Sequence, residues 1–292
     1  MTAAALSAPR SSSPTWQRFR DAFRRHPTAI IGGIVLALMV LVALLAPWLG
    51  TVDPQALSPA QRLKPPSSEH WFGTDMLGRD VYSRVVYGAR ISLRVGIAVA
   101  ALSVAIGLAI GLVTGFVRWL DAVVMRIMDG LMSIPSVLLA IALMALTKAS
   151  VGNVIAAITV AEVPRVVRLV RGLVLSLREQ PFVEAAIAAG TTLPLILTRH
   201  ILPNTVAPLL VQGTYICASA MIVEAILSFI GAGTPPNIPS WGNIMAEARS
   251  LFQIAGYLIF FPGLFLSLTV LAVNLLGDGM RDALDPRLAR RM

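Results

Sequence analysis

Six long, largely apolar runs set the limits on what this chain can fold into. They lie at roughly 29–49, 95–117, 131–147, 153–170, 205–229 and 254–276. A helix of about 20 apolar residues crosses about 30 Å of hydrocarbon, and lipid leaves the backbone no hydrogen-bonding partner except itself. The chain is 56% hydrophobic and 13% charged, against about 45–50% and about 25% for a soluble domain. The expected fold class is therefore an all-α integral membrane protein with six transmembrane helices.

The charges give this array a direction. Arg18, Arg20, Arg24 and Arg25 precede the first run, which has the length of a membrane span, exceeds a signal-peptide core, and is not closed by an A-x-A site. It reads as a retained first span. With the N-terminus inside, six crossings return the C-terminus to the same side. The inner segments then hold 16 of the 24 lysines and arginines, as the positive-inside rule expects. The formal charge of +9 thus reads as orientation rather than affinity for nucleic acid.

The expected division is a cytoplasmic segment 1–28, a first span 29–49, an external loop 50–94, a core 95–276 and a cytoplasmic tail 277–292. Six of the eight basic residues that resist this orientation precede the second span, four of them in HWFGTDMLGRDVYSRVVYGARISLR (70–94). At about 100° per residue, Asp80, Ser83, Arg84, Tyr87, Arg90 and Arg94 share one arc, and Val81, Tyr82, Val85, Val86, Ala89 and Leu93 the other. This pattern predicts an amphipathic helix over about 80–90, lying in the external interface. Gly73-Thr74-Asp75 and Gly78-Arg79-Asp80 read as a turn and a helix start.

Inside the core, Gly107, Gly111 and Gly115 recur every four residues and predict close helix packing. Arg165, Arg168 and Arg171 share a helix face, as a snorkelling anchor or part of a partner interface. Asp129 reads as a helix-start acid for the third span, with Pro135 as a kink. Glu162 and Glu224 lie within apolar runs, where ionisable groups are expensive, and are candidate intramembrane polar sites. Either can instead be an acid paired inside the bundle; Arg165, one turn after Glu162, is a ready partner. The single cysteine, Cys217, reads as a small packing residue.

The most informative segment is EQPFVEAAIAAGTTLPLILTRHILPN (179–204). Pro181 suits a helical first turn, and Glu184, Ala185, Ala186, Ala188 and Ala189 make a short helix of little bulk. Gly190 permits a break. A second helical piece runs through Arg199 and His200, and Ile201-Leu202-Pro203-Asn204 leads back into the membrane. Such a helix is too smooth for a catalytic site and well shaped to enter a groove on another protein.

The run Glu184-Ala185-Ala186, Gly190, Ile201-Leu202-Pro203 resembles the EAA loop of ABC importer permeases. GTDMLGRDVYSRVVYGARISLRVG (73–96), LSFIGAGTPPNIPSWG (227–242) and NLLGDGMRDALDP (274–286) resemble the C-type permease subunits of dipeptide, oligopeptide and nickel importers. Pro181-Phe182 departs from the more polar residue and tyrosine expected there. The resemblance implies a bacterial inner-membrane subunit with one N-terminal helix and a five-helix type I importer core. It also implies that residues 184–190, with Ile201, Leu202 and Pro203, form a coupling helix for an ATPase subunit. The implied partners are a second homologous permease, two ATP-binding cassette ATPases (or one two-lobed ATPase) and an extracytoplasmic substrate-binding protein. That protein would meet the external loop at Pro235, Pro236 and Trp241, although a plain interfacial cap is an equal reading.

No catalytic, cofactor-binding or metal-ligating residues are assigned to the chain; ATP and Mg²⁺ would belong to the partner ATPases. There is no G-x-x-x-x-G-K-[ST], H-E-x-x-H or G-x-S-x-G, and His26, His70 and His200 are scattered. The competing class is a self-sufficient, ion-coupled secondary transporter using Glu162 or Glu224 as proton sites. Within the importer reading, the motifs do not separate peptides from nickel.

Overall fold

The computed structural model describes residues 27–284. The basic segment expected at 1–28 lies outside the described residues but for its last two, as does the tail beyond 284. The first helix, α1 (Pro27–Leu44), ends ahead of a tight 3-10 turn, Ala46–Trp48. Pro47 has no N–H to continue the ladder.

Helix α2 (Val81–Thr114) is continuous for 34 residues and starts where the Asp80 carboxylate accepts the Ser83 N–H at 2.8 Å, an N-cap. This corrects the expectation of a separate interfacial helix at 80–90. Those residues are the first turns of the second long helix, and both of their arcs are largely enclosed by protein: Val81, Ser83, Arg84, Val85 and Ala89 are all buried. The period was real, but the first part of the polar arc, Ser83 and Arg84, is enclosed by protein, while Arg90 and Arg94 stay exposed.

The third apolar run is also not one helix. Helix α3 (Arg118–Met132) and helix α4 (Ser136–Ala145) meet at 90° across Pro135. Pro135 therefore makes a break rather than a kink, and Asp129 sits in the last turn of α3 rather than at a helix start. Helix α5 (Val151–Leu177) follows. Short helices α6 (Pro181–Ala188) and α7 (Leu193–Ile196) lead through a π-turn, Leu197–Ile201, into α8 (Leu202–Phe229). Helix α9 (Trp241–Ala248) and helix α10 (Tyr257–Leu284) complete the fold.

Among the described residues, four helical segments are long and apolar enough to cross a membrane: α1, α2, α7 with α8, and α10; the bent α3–α4 pair makes a fifth. At 27 residues and 1.5 Å per residue, α5 is about 40 Å long. It carries Glu162, Arg165 and Arg168 inside its span-length window.

Helices α2 and α8 form the centre. One core joins them to α4 and α5 through Val99, Ile158, Val166, Val170 and Ile216. A second joins them to α1, α9 and α10 through Val85, Met221, Trp241 and Leu258. Gly107, Gly111 and Gly115 of α2 each face one buried valine of α5, namely Val166, Val170 and Val174. A Cβ on Gly111 would stand 2.7 Å from the Val170 Cβ, and one on Gly115 2.6 Å from the Val174 Cβ. The three glycines thus let α2 and α5 approach closely, as their spacing predicts.

The bundle has two ends. Residues 45–80 meet α9, the 230–240 loop and the start of α10 at one end, where the Tyr257 hydroxyl donates to the Lys64 and Thr74 carbonyls at 3.0 Å. At the opposite end the Arg178 guanidinium reaches the Gly115 carbonyl at 3.4 Å, beside α3 and α6.

Candidate functional site

The segment between α5 and α8 forms a short helix on a tether. Gln180 caps it with extended backbone and Pro181 opens the first turn. It closes in a Schellman motif. The Gly190 N–H donates to the Ile187 carbonyl at 2.9 Å, and the Thr191 N–H to the Ala186 carbonyl at 3.1 Å. Gly190 has φ +74°, and open space surrounds its Cβ position. It is therefore needed for its backbone angle rather than its size.

Of this helix only Val183 is buried. It packs into the core with Ile196 and Ile201. Glu184 and Ala185 are exposed and Ala186 is half-buried, while Phe182 and Ile187 stand 44% and 50% exposed. Ile201 is fully buried, and Leu202-Pro203 opens α8. Val183 thus anchors a helix most of whose other side chains, Phe182 and Ile187 among them, are exposed at the end of the bundle.

The opposite end is closed by ions. Arg84 is 1% exposed and donates to Asp75 Oδ2 at 2.6 Å and to Glu247 Oε2 and Oε1 at 2.7 and 3.0 Å. Arg79 donates to Asp75 Oδ2 at 2.6 Å and also to Glu247. Two guanidiniums and two carboxylates balance, which is what burial demands. The loop before α2 supplies Asp75 and Arg79, the first turn of α2 supplies Arg84, and α9 supplies Glu247. Gly73 and Gly78 turn that loop with φ +77° and +72°, as the turn motifs predict. Asp80 also faces His70 Nδ1 at 3.1 Å.

The external-loop candidates separate. Pro236 is exposed and Pro235 half-buried. Trp241 is completely buried, its indole N–H donating to the Val85 carbonyl at 3.0 Å. This corrects the expectation that Trp241 meets a binding protein or the headgroups: the ring fills the gap that Gly88 leaves on α2, where a Cβ would lie 3.0 Å from it. Asn243 holds the loop from within, its amide donating to the Pro235 and Ile238 carbonyls at 2.9 and 3.0 Å.

Glu224 and Glu162 are both fully buried. Glu224 accepts from the Ser228 hydroxyl at 2.8 Å, and its second oxygen has no hydrogen-bond partner in the structure. Glu162 pairs with Arg165 at 3.1 Å, the local partner expected. Arg168 pairs with Asp129 at 2.6 Å, and Arg171 with Asp121, one of its two bonds being 2.7 Å. Arg168 and Arg171 therefore staple α5 to α3, while Arg165 pairs within α5.

Sequence reasoning missed Glu247 and Asp121. The available signal was charge balance. Arg79 and Arg84 sit beside only one acid that is free of capping duty, so a second acid had to come from elsewhere.

Residues 103–290 match the family of binding-protein-dependent transport system inner membrane components. Residues 14–66 match the N-terminal transmembrane domain of oligopeptide transport permease C. The chain belongs to this family of ABC importer permeases, an all-helical integral membrane subunit of the type I class. It is 54% identical over 290 residues to a probable peptide ABC transporter permease protein of Sinorhizobium fredii, covering 99% of this chain and 98% of the relative. It is 42% identical over 290 residues to a glutathione transport system permease protein of Escherichia coli, covering 99% and 96%. It is 40% identical over 274 residues to a dipeptide transport system permease protein of Alkalihalophilus pseudofirmus, covering 94% and 90%.

Proposed function

We propose that this chain is one of two permease subunits of a bacterial inner-membrane importer of short peptides, and that it couples the pathway to ATPase subunits through residues 181–190. The peptide class rests on what the relatives are named for. The coupling role rests on one observation: a capped helix, anchored by buried Val183, presents Phe182, Glu184 and Ile187 outward between two long helices. Exposed apolar groups on a positioned helix fit a partner's groove. Such a helix moves with α5 and α8, so closure of two ATPases that bind ATP and Mg²⁺ would rock the bundle without chemistry in this chain.

Counting α5 as a sixth crossing would leave residues 27 and 284 on the coupling side, which in this reading is the cytoplasm. The end closed by the Asp75–Arg79–Arg84–Glu247 cluster then faces outward, where a substrate-binding protein would dock near Pro235 and Pro236. Glu162 and Glu224 stay candidates for lining or shaping the pathway.

The test is reconstitution with the partner subunits. Ala186→Glu adds charge to the half-buried flank of the coupling helix, and Gly190→Trp forces a bulky residue into a left-handed backbone angle. Both are expected to abolish ATP-dependent peptide uptake and to uncouple ATP hydrolysis from substrate while the chain still folds. Unchanged uptake and unchanged coupling in both would rule out the lever. A competition panel of dipeptides, longer peptides and nickel identifies the substrate class.

A further inference from the structure

The arginines before the second span divide into two pairs with opposite fates. Arg79 and Arg84 turn inward to carboxylates. Arg90 and Arg94, one helical turn apart, are exposed, and neither makes an ion pair or a hydrogen bond among the described residues. The Arg90 guanidinium lies 5.9 Å from the Tyr87 ring centroid.

Both line a cleft of about 680 Å³ between α1 and α2. Its walls are apolar: Ala43 and Leu44 of α1, Ile91 and Ile97 of α2, and Ile238-Pro239 of the external loop. Gln55 closes the rim, its side-chain amide donating to the Asn237 carbonyl at 3.1 Å. The depth of the cleft is fixed twice over. Helix α1 ends at Leu44, and Trp48 just beyond it is 78% exposed, as befits the membrane–water interface. Independently, α2 has 34 residues, about 51 Å against a hydrocarbon core of about 30 Å, so its first turns must stand at headgroup level. Below Arg94 the exposed line of α2 continues through Ile97, Ala101 and Ala105, an apolar track for an acyl chain.

We infer that this cleft binds an anionic phospholipid of the outer leaflet. Arg90 and Arg94 hold its phosphodiester, and an acyl chain lies in the groove between α1 and α2. Two unpaired guanidiniums over an apolar slot match that ligand, since guanidinium and phosphate form charge-assisted, often bidentate hydrogen bonds. A protein helix in the same groove would have to bring its own acids to headgroup depth. The bound lipid would join α1, which meets the rest of the bundle mainly through α10, to the loop that closes the outer end.

The experiment uses the assembled transporter in nanodiscs of phosphatidylcholine with a minor share of phosphatidylglycerol, released for native mass spectrometry. The intact complex is expected to retain phosphatidylglycerol in preference to phosphatidylcholine. Arg90→Gln with Arg94→Gln is expected to lower that retention about tenfold or more, and the double lysine variant to restore much of it. Size-exclusion chromatography confirms that each variant assembles. A photoreactive residue at Ile97 should crosslink to lipid. Equal retention by wild type and the glutamine variant, equal retention of the two lipids, or a crosslink at position 97 to the second permease in place of lipid would each overturn the assignment.

Discussion

At the residue scale, the end that carries the Asp75–Arg79–Arg84–Glu247 cluster shows how one local pattern serves two purposes. The sequence 73–84 was legible as turn, cap and helix start because Gly73, Gly78 and Asp80 act through their own backbone. The fate of Arg84 was not legible, because its partner Glu247 lies 163 residues away. An i, i+3, i+4 arc records only that one face is polar; it does not say whether water or a carboxylate meets it. Glu247→Ala should strip Arg84 of two bonds and leave it buried with Asp75 alone. A buried charge deprived of its partner costs about 3–5 kcal/mol. The expected result is a markedly lower unfolding midpoint for the purified complex, followed by intrinsic fluorescence during heating. A midpoint equal to wild type would mean that the cluster is not closed in the membrane.

At the element scale, the glycine ladder and the short helix Pro181–Ala188 were both readable, for the same reason. Each is specified by small residues at a fixed period together with a local stop signal. Gly107, Gly111 and Gly115 meet Val166, Val170 and Val174 knob for hole. Gly111→Leu should force α2 from α5 and prevent recovery of assembled complex, whereas Gly111→Ala should cost about 1–3 kcal/mol, the usual penalty of overpacking, read as partial recovery in a detergent-stability assay. Normal assembly of the leucine variant would contradict the packing. The broken third span was less legible. Pro135 was visible, but hydropathy over 131–147 runs straight through the break, so a 90° turn between α3 and α4 and a single kinked helix present the same composition. The arginines of α5 were seen as a face, but their partners Asp121 and Asp129 belong to α3, whose placement follows from that turn.

At the scale of the whole molecule, every described element serves one of two ends joined by long helices. Ions and Trp241 hold one end together; at the other, buried Val183 anchors a largely exposed short helix. Family and architecture were legible because motifs survive across the full chain. The position of Trp241 was not, because an indole beside prolines suits an interface as well as a core; its complete burial depends on the space left by Gly88. The central claim is that this chain moves substrate only when partner ATPases drive it. The most direct measurement is peptide uptake into proteoliposomes, comparing the purified chain alone under an imposed ion gradient with the chain reconstituted beside its second permease and ATPases. The account predicts no uptake by the lone chain and ATP-dependent uptake by the assembly. Gradient-driven uptake by the lone chain would contradict it and would return Glu162 and Glu224 to the role of proton sites.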